Sequence, residues 1–110
     1  MNLKISDRVR LNMLYDFYWN LLTQRQKDLF ELHYQYDLSL GEIAANFQIS
    51  RQAVFDLLRR TSLQLNNYED RLHLLAKHVQ RQHSIDQLER SLTAGDLIAA
   101  QTWIDKLKNS

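Results

Sequence analysis

A chain of 110 residues with no proline and only two glycines, Gly41 and Gly95, lacks the residues that punctuate strands and long loops. Every other residue type sits in a helix interior at modest cost, so the sequence predicts an all-α protein with short connections. Hydrophobic residues make up 45% of it, enough to bury a core and to exclude disorder. The length fits one domain, or one domain with an appendage. Cysteine is absent, which excludes a disulfide framework and thiolate metal sites. The first stretch, MNLKISDRVRLN, carries charges where a signal peptide would have its apolar run. No segment approaches the ~18–20 apolar residues that span a bilayer. The expectation is a soluble, cytoplasmic protein.

Residues 38–67, LSLGEIAANFQISRQAVFDLLRRTSLQLNN, organise the rest. Ser39 and Glu42 are spaced as a capping box that opens a short helix. Leu40, Ile43, Ala44 and Phe47 then fall on one helical face. Gln48-Ile49 turns the chain, Ile49 plugs the core between two helices, and Ser50 caps the second. That second helix turns Val54, Leu57 and Leu58 inward and Arg51, Gln52, Phe55, Asp56 and Arg59 outward. Ala44 is small where the two helices must approach closely. The pattern is that of a helix-turn-helix.

Upstream, LLTQRQKDLFELHYQYDLSLGEIA resembles the promoter-reading fourth region of bacterial sigma factors. There a capped helix rich in Arg, Gln and Leu precedes an acidic-hydrophobic linker and the S-L-x-E-I-A helix. Residues 21–75 are similar, more specifically, to the YlxM family, small bacterial proteins with a sigma-like helix-turn-helix. The runs LLTQRQ, SLGEIAANF, SRQAVFD, LRRT and YEDRLHLL carry the match. Genes of that family lie beside those of the signal recognition particle GTPase Ffh and its receptor FtsY. The resemblance therefore implies a binding or regulatory protein of that pathway, not a chemistry.

The remaining segments are read around this centre. Residues 5–21 predict a first helix with two apolar stripes, Val9, Met13, Phe17 and Leu21 on one and Leu11, Leu14, Tyr15, Tyr18 and Leu22 on the other. That is more than one neighbour can cover, so either later helices wrap it or a second subunit does. Tyr15, Phe17, Tyr18 and Trp19 fit a core better than a base-stacking platform. Thr23 with Gln26 makes a capping box for the second helix, where Leu29, Phe30, Leu32, His33 and Tyr36 follow at core spacing. His33 is read as a hydrogen-bonded structural histidine.

From Val54, the positions Leu58, Thr61, Leu65, Tyr68, Leu72, Leu75 and Val79 make a heptad seam, predicting one helix from Arg51 to about Gln82 with a weak point at Asn66-Asn67. The first helix or a homodimer partner would cover it. Ser84 with Gln87 opens a short helix with Ile85, Leu88 and Leu92 inward. Gly95 ends that helix, and Asp96 caps a last one with Leu97, Ala100, Trp103, Ile104 and Leu107 in a stripe. Residues 84–108 are thus a helical hairpin. The division expected is a helix-turn-helix domain with its N-terminal helix over 1–70 and a C-terminal helical extension over 71–110.

No catalytic motif or glycine-rich phosphate loop is present, and the chain is read as a non-enzyme without cofactor or metal. His73, His78 and His83 recur every five residues, which turns about 500° along a helix and scatters the rings. Asp56 beside Arg59 and Arg60 reads as a surface pair. Net charge is only +1. Within 39–69, Arg51, Arg59 and Arg60 balance Glu42, Asp56 and Glu69, so clustering on one face decides what binds.

Two functions follow. In the first, the recognition helix binds DNA or RNA: Arg51 and Gln52 approach base edges, Phe55 lies on the same face, and Arg59, Arg60, Arg25 and Lys27 hold phosphates. In the second, the helix-turn-helix is an adaptor that docks Ffh or FtsY with Phe55 as anchor. The fold expected is a sigma-region-four-like helix-turn-helix with an extended recognition helix and a C-terminal hairpin.

Overall fold

The computed structural model describes the backbone of residues 3–110 and the side chains from Asp7 onward; the first six side chains of the charged N-terminal stretch lie outside it. Among the described residues there are six α-helices and no strand: α1 Leu3–Tyr18, α2 Gln24–Tyr34, α3 Leu40–Phe47, α4 Arg51–Leu72, α5 Leu74–Thr93 and α6 Leu97–Lys108. A short 3-10 turn, Trp19–Leu21, follows α1. The chain up to Leu72 forms one compact unit and His73–Ser110 another.

In the first unit α2, α3 and α4 each start at the expected cap. The Thr23 hydroxyl accepts from the Gln26 N–H at 3.2 Å while the Gln26 side chain accepts from the Thr23 N–H at 2.9 Å. Ser39 and Glu42 make the same pair, both at 3.1 Å. The Ser39 backbone N–H, and then its hydroxyl, hold the Glu42 carboxyl below the usual carboxylate range. Ser50 caps α4 by accepting from the Ala53 N–H at 3.0 Å. Between α3 and α4, Gln48 adopts the left-handed conformation (φ 54°). Its N–H bonds Ala45 O at 3.4 Å and the Ile49 N–H bonds Ala44 O at 3.1 Å. This is a Schellman turn, and Ile49 packs back on the core as that motif requires.

The core gathers Leu29, Ile43, Ala44, Val54 and Leu58, so α2, α3 and α4 close on one another. Each fully buried aliphatic contributes about 1.5–3 kcal/mol. The first helix adds Leu14, Tyr15 and Tyr18, all buried, whereas Phe17 is half-buried and Trp19, expected in the core, is 48% exposed. Tyr15 stacks on Phe30 with centroids 4.6 Å apart. Its hydroxyl donates to the Glu31 carboxylate. Burial first, and then that hydrogen bond, push the Tyr15 hydroxyl up from its ordinary range. Of the other stripe, Val9 (50%) and Met13 (45%) on α1 and Leu21 (50%) in the 3-10 turn are exposed, while Phe17 is half-buried. His33 Nδ1 lies 2.9 Å from Leu38 O, the structural role expected of it.

Three local readings of α2 and α4 are corrected. The helix from Arg51 passes through Asn66-Asn67 and ends at Leu72, not near Gln82, because His73 is left-handed (φ 57°) and begins the next helix. No glycine marks the break; histidine tolerates that region better than most side chains. The buried line on α4 is Val54, Leu58, Thr61, Leu65 and Glu69, while Leu72 and Val79 are exposed. Tyr36 follows the end of α2 and is exposed, since Asp37 (φ 60°) turns the chain there.

The second unit is a helical hairpin, but its first helix runs from Leu74 through Ser84, so Ser84-Gln87 is not a cap. A helix already under way needs no new start. Leu92, expected inward, is 55% exposed, while Ile85 is 37% exposed. Gly95 (φ 74°) closes α5 in a Schellman turn, with the Gly95 N–H on Leu92 O and the Asp96 N–H on Ser91 O. The Asp96 side chain then accepts from the Ala99 N–H at 3.0 Å and starts α6. Ala100 is buried against α5, whereas Leu97 is 72% exposed and does not belong to the inward stripe.

Candidate nucleic-acid interface

The turn at Gln48-Ile49 and the Ser50 cap present α4 with its first turn in solvent. Arg51 and Gln52 are both exposed there, ahead of the first buried residue, Val54. Gln52 is not idle: its amide donates to Asp56 Oδ1 at 3.0 Å. Asp56 therefore pairs with Gln52 and forms no salt bridge with Arg59 or Arg60. The outward face of α4 divides into two flanks.

On one flank, Arg60 shares a cleft with Arg25, Leu57 and Gln64. A polar chain fixes α2 against α4 at that place. Gln26, already part of the Thr23 cap, donates to Gln64 Oε1 at 2.9 Å; Gln64 donates to the Tyr68 hydroxyl at 2.6 Å. The Arg25 guanidinium lies over the Phe47 ring, 4.6 Å from its centroid, which holds it beside the helix-turn-helix. Both arginines are exposed. Lys27 is not brought to this cleft; its ammonium lies 5.2 Å from the centroid of Trp19.

On the other flank, Phe55 and Arg59 form one wall of a cleft of about 750 Å³ whose other wall comes from α1 and the end of α2. Phe55 is 48% exposed. The expected cationic residues thus fall into an Arg25–Arg60 pair, an Arg59 across the helix from it, and Arg51 at the tip.

One outward residue escaped the sequence reading. Leu63 is 58% exposed, two turns beyond Phe55. The signal was available: Leu63 lies off the heptad seam, and an apolar residue at i+8 from Phe55 shares its side of the helix. Among the described residues no group of His, Asp or Glu is placed to hold a metal ion. None of the described helices is long and apolar enough to cross a membrane.

Known proteins carry the same pattern over nearly the whole chain. Residues 5–104 match the UPF0122 family model, described as "Putative helix-turn-helix protein, YlxM / p13 like". A UPF0122 protein of Listeria innocua is 44% identical over 102 residues, covering 91% of this chain and 93% of its own. One from Bacillus mycoides is 50% identical over 89 residues, 81% of each chain. One from Halalkalibacterium halodurans is 42% identical over 108 residues, 94% of this chain and 99% of its own. An all-helical chain with a Ser-capped recognition helix beyond a Schellman turn, matched over this length at these identities, belongs to the UPF0122 family of YlxM-like helix-turn-helix proteins.

Proposed function

We propose that the protein is a non-enzymatic helix-turn-helix regulator of the signal recognition particle pathway that works in the cytoplasm and binds nucleic acid through α4. The observation that carries the nucleic-acid reading is the convergence of Arg25 and Arg60 on one cleft beside a recognition helix whose Arg51 and Gln52 are exposed at its tip. Two guanidiniums there hold the phosphate backbone, and the helix tip enters a groove, the division of labour in helix-turn-helix recognition. The pathway rests on the YlxM resemblance. Residues 1–70 supply this binding module and residues 71–110 extend it. Val9 and Met13 on the outer stripe of α1, with Leu21 in the turn that follows, support a homodimer joined through that face.

Fluorescence anisotropy with a labelled duplex and with particle RNA tests the reading. Arg60→Ala should lower the salt slope of log Kd by roughly one unit, and Arg51→Ala should cost about 1–3 kcal/mol. Wild-type protein that binds neither ligand at low salt would overturn it. A second reading, docking to Ffh or FtsY, is favoured by the exposed Phe55 and Leu63 on α4.

A further inference from the structure

The cleft between α1 and α4 is lined differently from the Arg25–Arg60 cleft. Leu11, Leu40 and Leu58 give it an apolar interior, and Phe55 with Tyr34 adds two rings. Its volume, about 750 Å³, lies in the range of small-ligand clefts and accommodates one nucleotide. Three charged groups stand in its lining, and two of them, Asp7 and Arg59, have no hydrogen bond or ion pair among the described residues. Arg8, also in the lining, is already engaged by the Asp37 carboxylate and by His33 O at 2.8 Å. An apolar acid would gain from Arg59 and be repelled by Asp7. A duplex would offer Phe55 at most a thymine methyl. An unstacked base with its phosphate satisfies all of them: ring against ring, exocyclic amine to carboxylate, phosphate to guanidinium.

We propose that this cleft binds a nucleotide, with its base stacked on Phe55, an exocyclic amine donating to Asp7 and its phosphate on Arg59. The nucleotide is either an unpaired residue of a polynucleotide or a free mononucleotide. For the polynucleotide source the inference deepens the nucleic-acid reading of α4; for the mononucleotide it stands apart from it.

Labelled oligoribonucleotide octamers A8, C8 and U8 and a blunt duplex are the probes, with AMP as competitor. A8 and C8 should bind several-fold more tightly than U8, whose base has no exocyclic amine. Phe55→Ala should weaken A8 about tenfold and leave the duplex unchanged, an effect of the size expected for one stacked base. Phe55→Leu should also lose affinity while melting like the wild type, which separates stacking from bulk. Asp7→Asn should reduce the preference for A8 and C8 over U8. Displacement of A8 by AMP at millimolar concentration supports a free nucleotide; octamer binding that AMP leaves intact supports the polynucleotide. If Phe55→Ala and Phe55→Leu bind A8 like the wild type, the cleft is not a nucleotide site. Should those variants lose only Ffh, a protein side chain fills it and the proposal falls. Loss of duplex binding in Arg51→Ala with octamer binding indifferent to Phe55 would overturn this inference alone; a wild type that binds no nucleic acid overturns it together with the reading of α4.

Discussion

The Gln52 amide donates to Asp56 Oδ1 at 3.0 Å, one turn along the exposed face of α4. On the proposed nucleic-acid reading of α4, the side chain that would read a base is thus held by the carboxylate least welcome near phosphates. Asp56→Asn removes the charge and keeps the acceptor, whereas Asp56→Ala also releases Gln52. Both should tighten duplex binding on the order of threefold, the effect of removing one solvent-screened like-charge contact worth about 0.5–1 kcal/mol, with Asp56→Ala the tighter. Anisotropy titrations of the two variants that show unchanged or weaker binding would mean that α4 does not face phosphates.

The turn of the helix-turn-helix is held by a residue that pays a conformational penalty. Gln48 is left-handed, which costs a side-chain-bearing residue about 1–2 kcal/mol relative to glycine, less what glycine loses in the flexible unfolded chain. Gln48→Gly should therefore stabilise the protein by about 0.5–1 kcal/mol and raise Tm by a few degrees. Calorimetry that found the variant less stable would show that the Gln48 side chain makes a contact worth more than the backbone strain.

The starts of α2, α3, α4 and α6 were legible because each carries a side-chain cap bonded to the N–H three residues on, from Thr23, Ser39, Ser50 and Asp96; the start of α5 after His73 carries none. Ends were less so. Asp37, Gln48 and His73 all take the left-handed conformation without being glycine, and at His73 nothing local announces that a 22-residue helix stops. The false start at Ser84 shows the same limit from the other side, since a capping pattern inside a running helix is only two surface residues. The paired flanks of α4 were out of reach for a different reason. Arg25 meets Arg60, and Arg59 shares a wall with Phe55, only after α2 and α1 are packed against α4. Helical periodicity placed all four outward but could not say which were neighbours.

Inside the first unit, the Tyr18 hydroxyl donates to Glu69 Oε1 at 2.7 Å, with Tyr18 1% and Glu69 6% exposed. A carboxylate this deep depends on its donors. Tyr18→Phe keeps the ring and removes one of them, so it should destabilise the protein by about 1–3 kcal/mol in urea unfolding at neutral pH. A loss under about 0.5 kcal/mol would show that the carboxylate is satisfied without the phenol.

The outer stripe of α1 tests the proposed homodimer. Met13 is 45% exposed within one chain, so Met13→Asp should leave the monomer folded. In a dimer joined through this stripe the new carboxylate is buried without a partner, a cost of several kcal/mol. Sedimentation velocity should show dimer for the wild type and monomer for the variant. A wild type that sediments as a monomer throughout the micromolar range would remove the homodimer.

Leu63 separates the two readings of α4 most cleanly. It is 58% exposed, carries no charge and belongs to neither arginine flank, so a nucleic-acid backbone held by Arg25 and Arg60 gains nothing from it. If α4 docks a protein, Leu63 and Phe55 are instead the apolar side chains a partner would cover, and an aromatic anchor buried at the centre of an interface is worth about 2 kcal/mol or more. Leu63→Ser and Phe55→Ala should therefore bind duplex DNA like the wild type, while Arg60→Ala weakens it and lowers its salt dependence. Against Ffh the order would reverse: both apolar substitutions would be costly, Arg60→Ala nearly silent, and added salt of little effect. Titrating the three variants against duplex and Ffh at two salt concentrations decides between the readings. If neither ligand responds to any of the three substitutions, the outer face of α4 is not the working surface and both readings fail together.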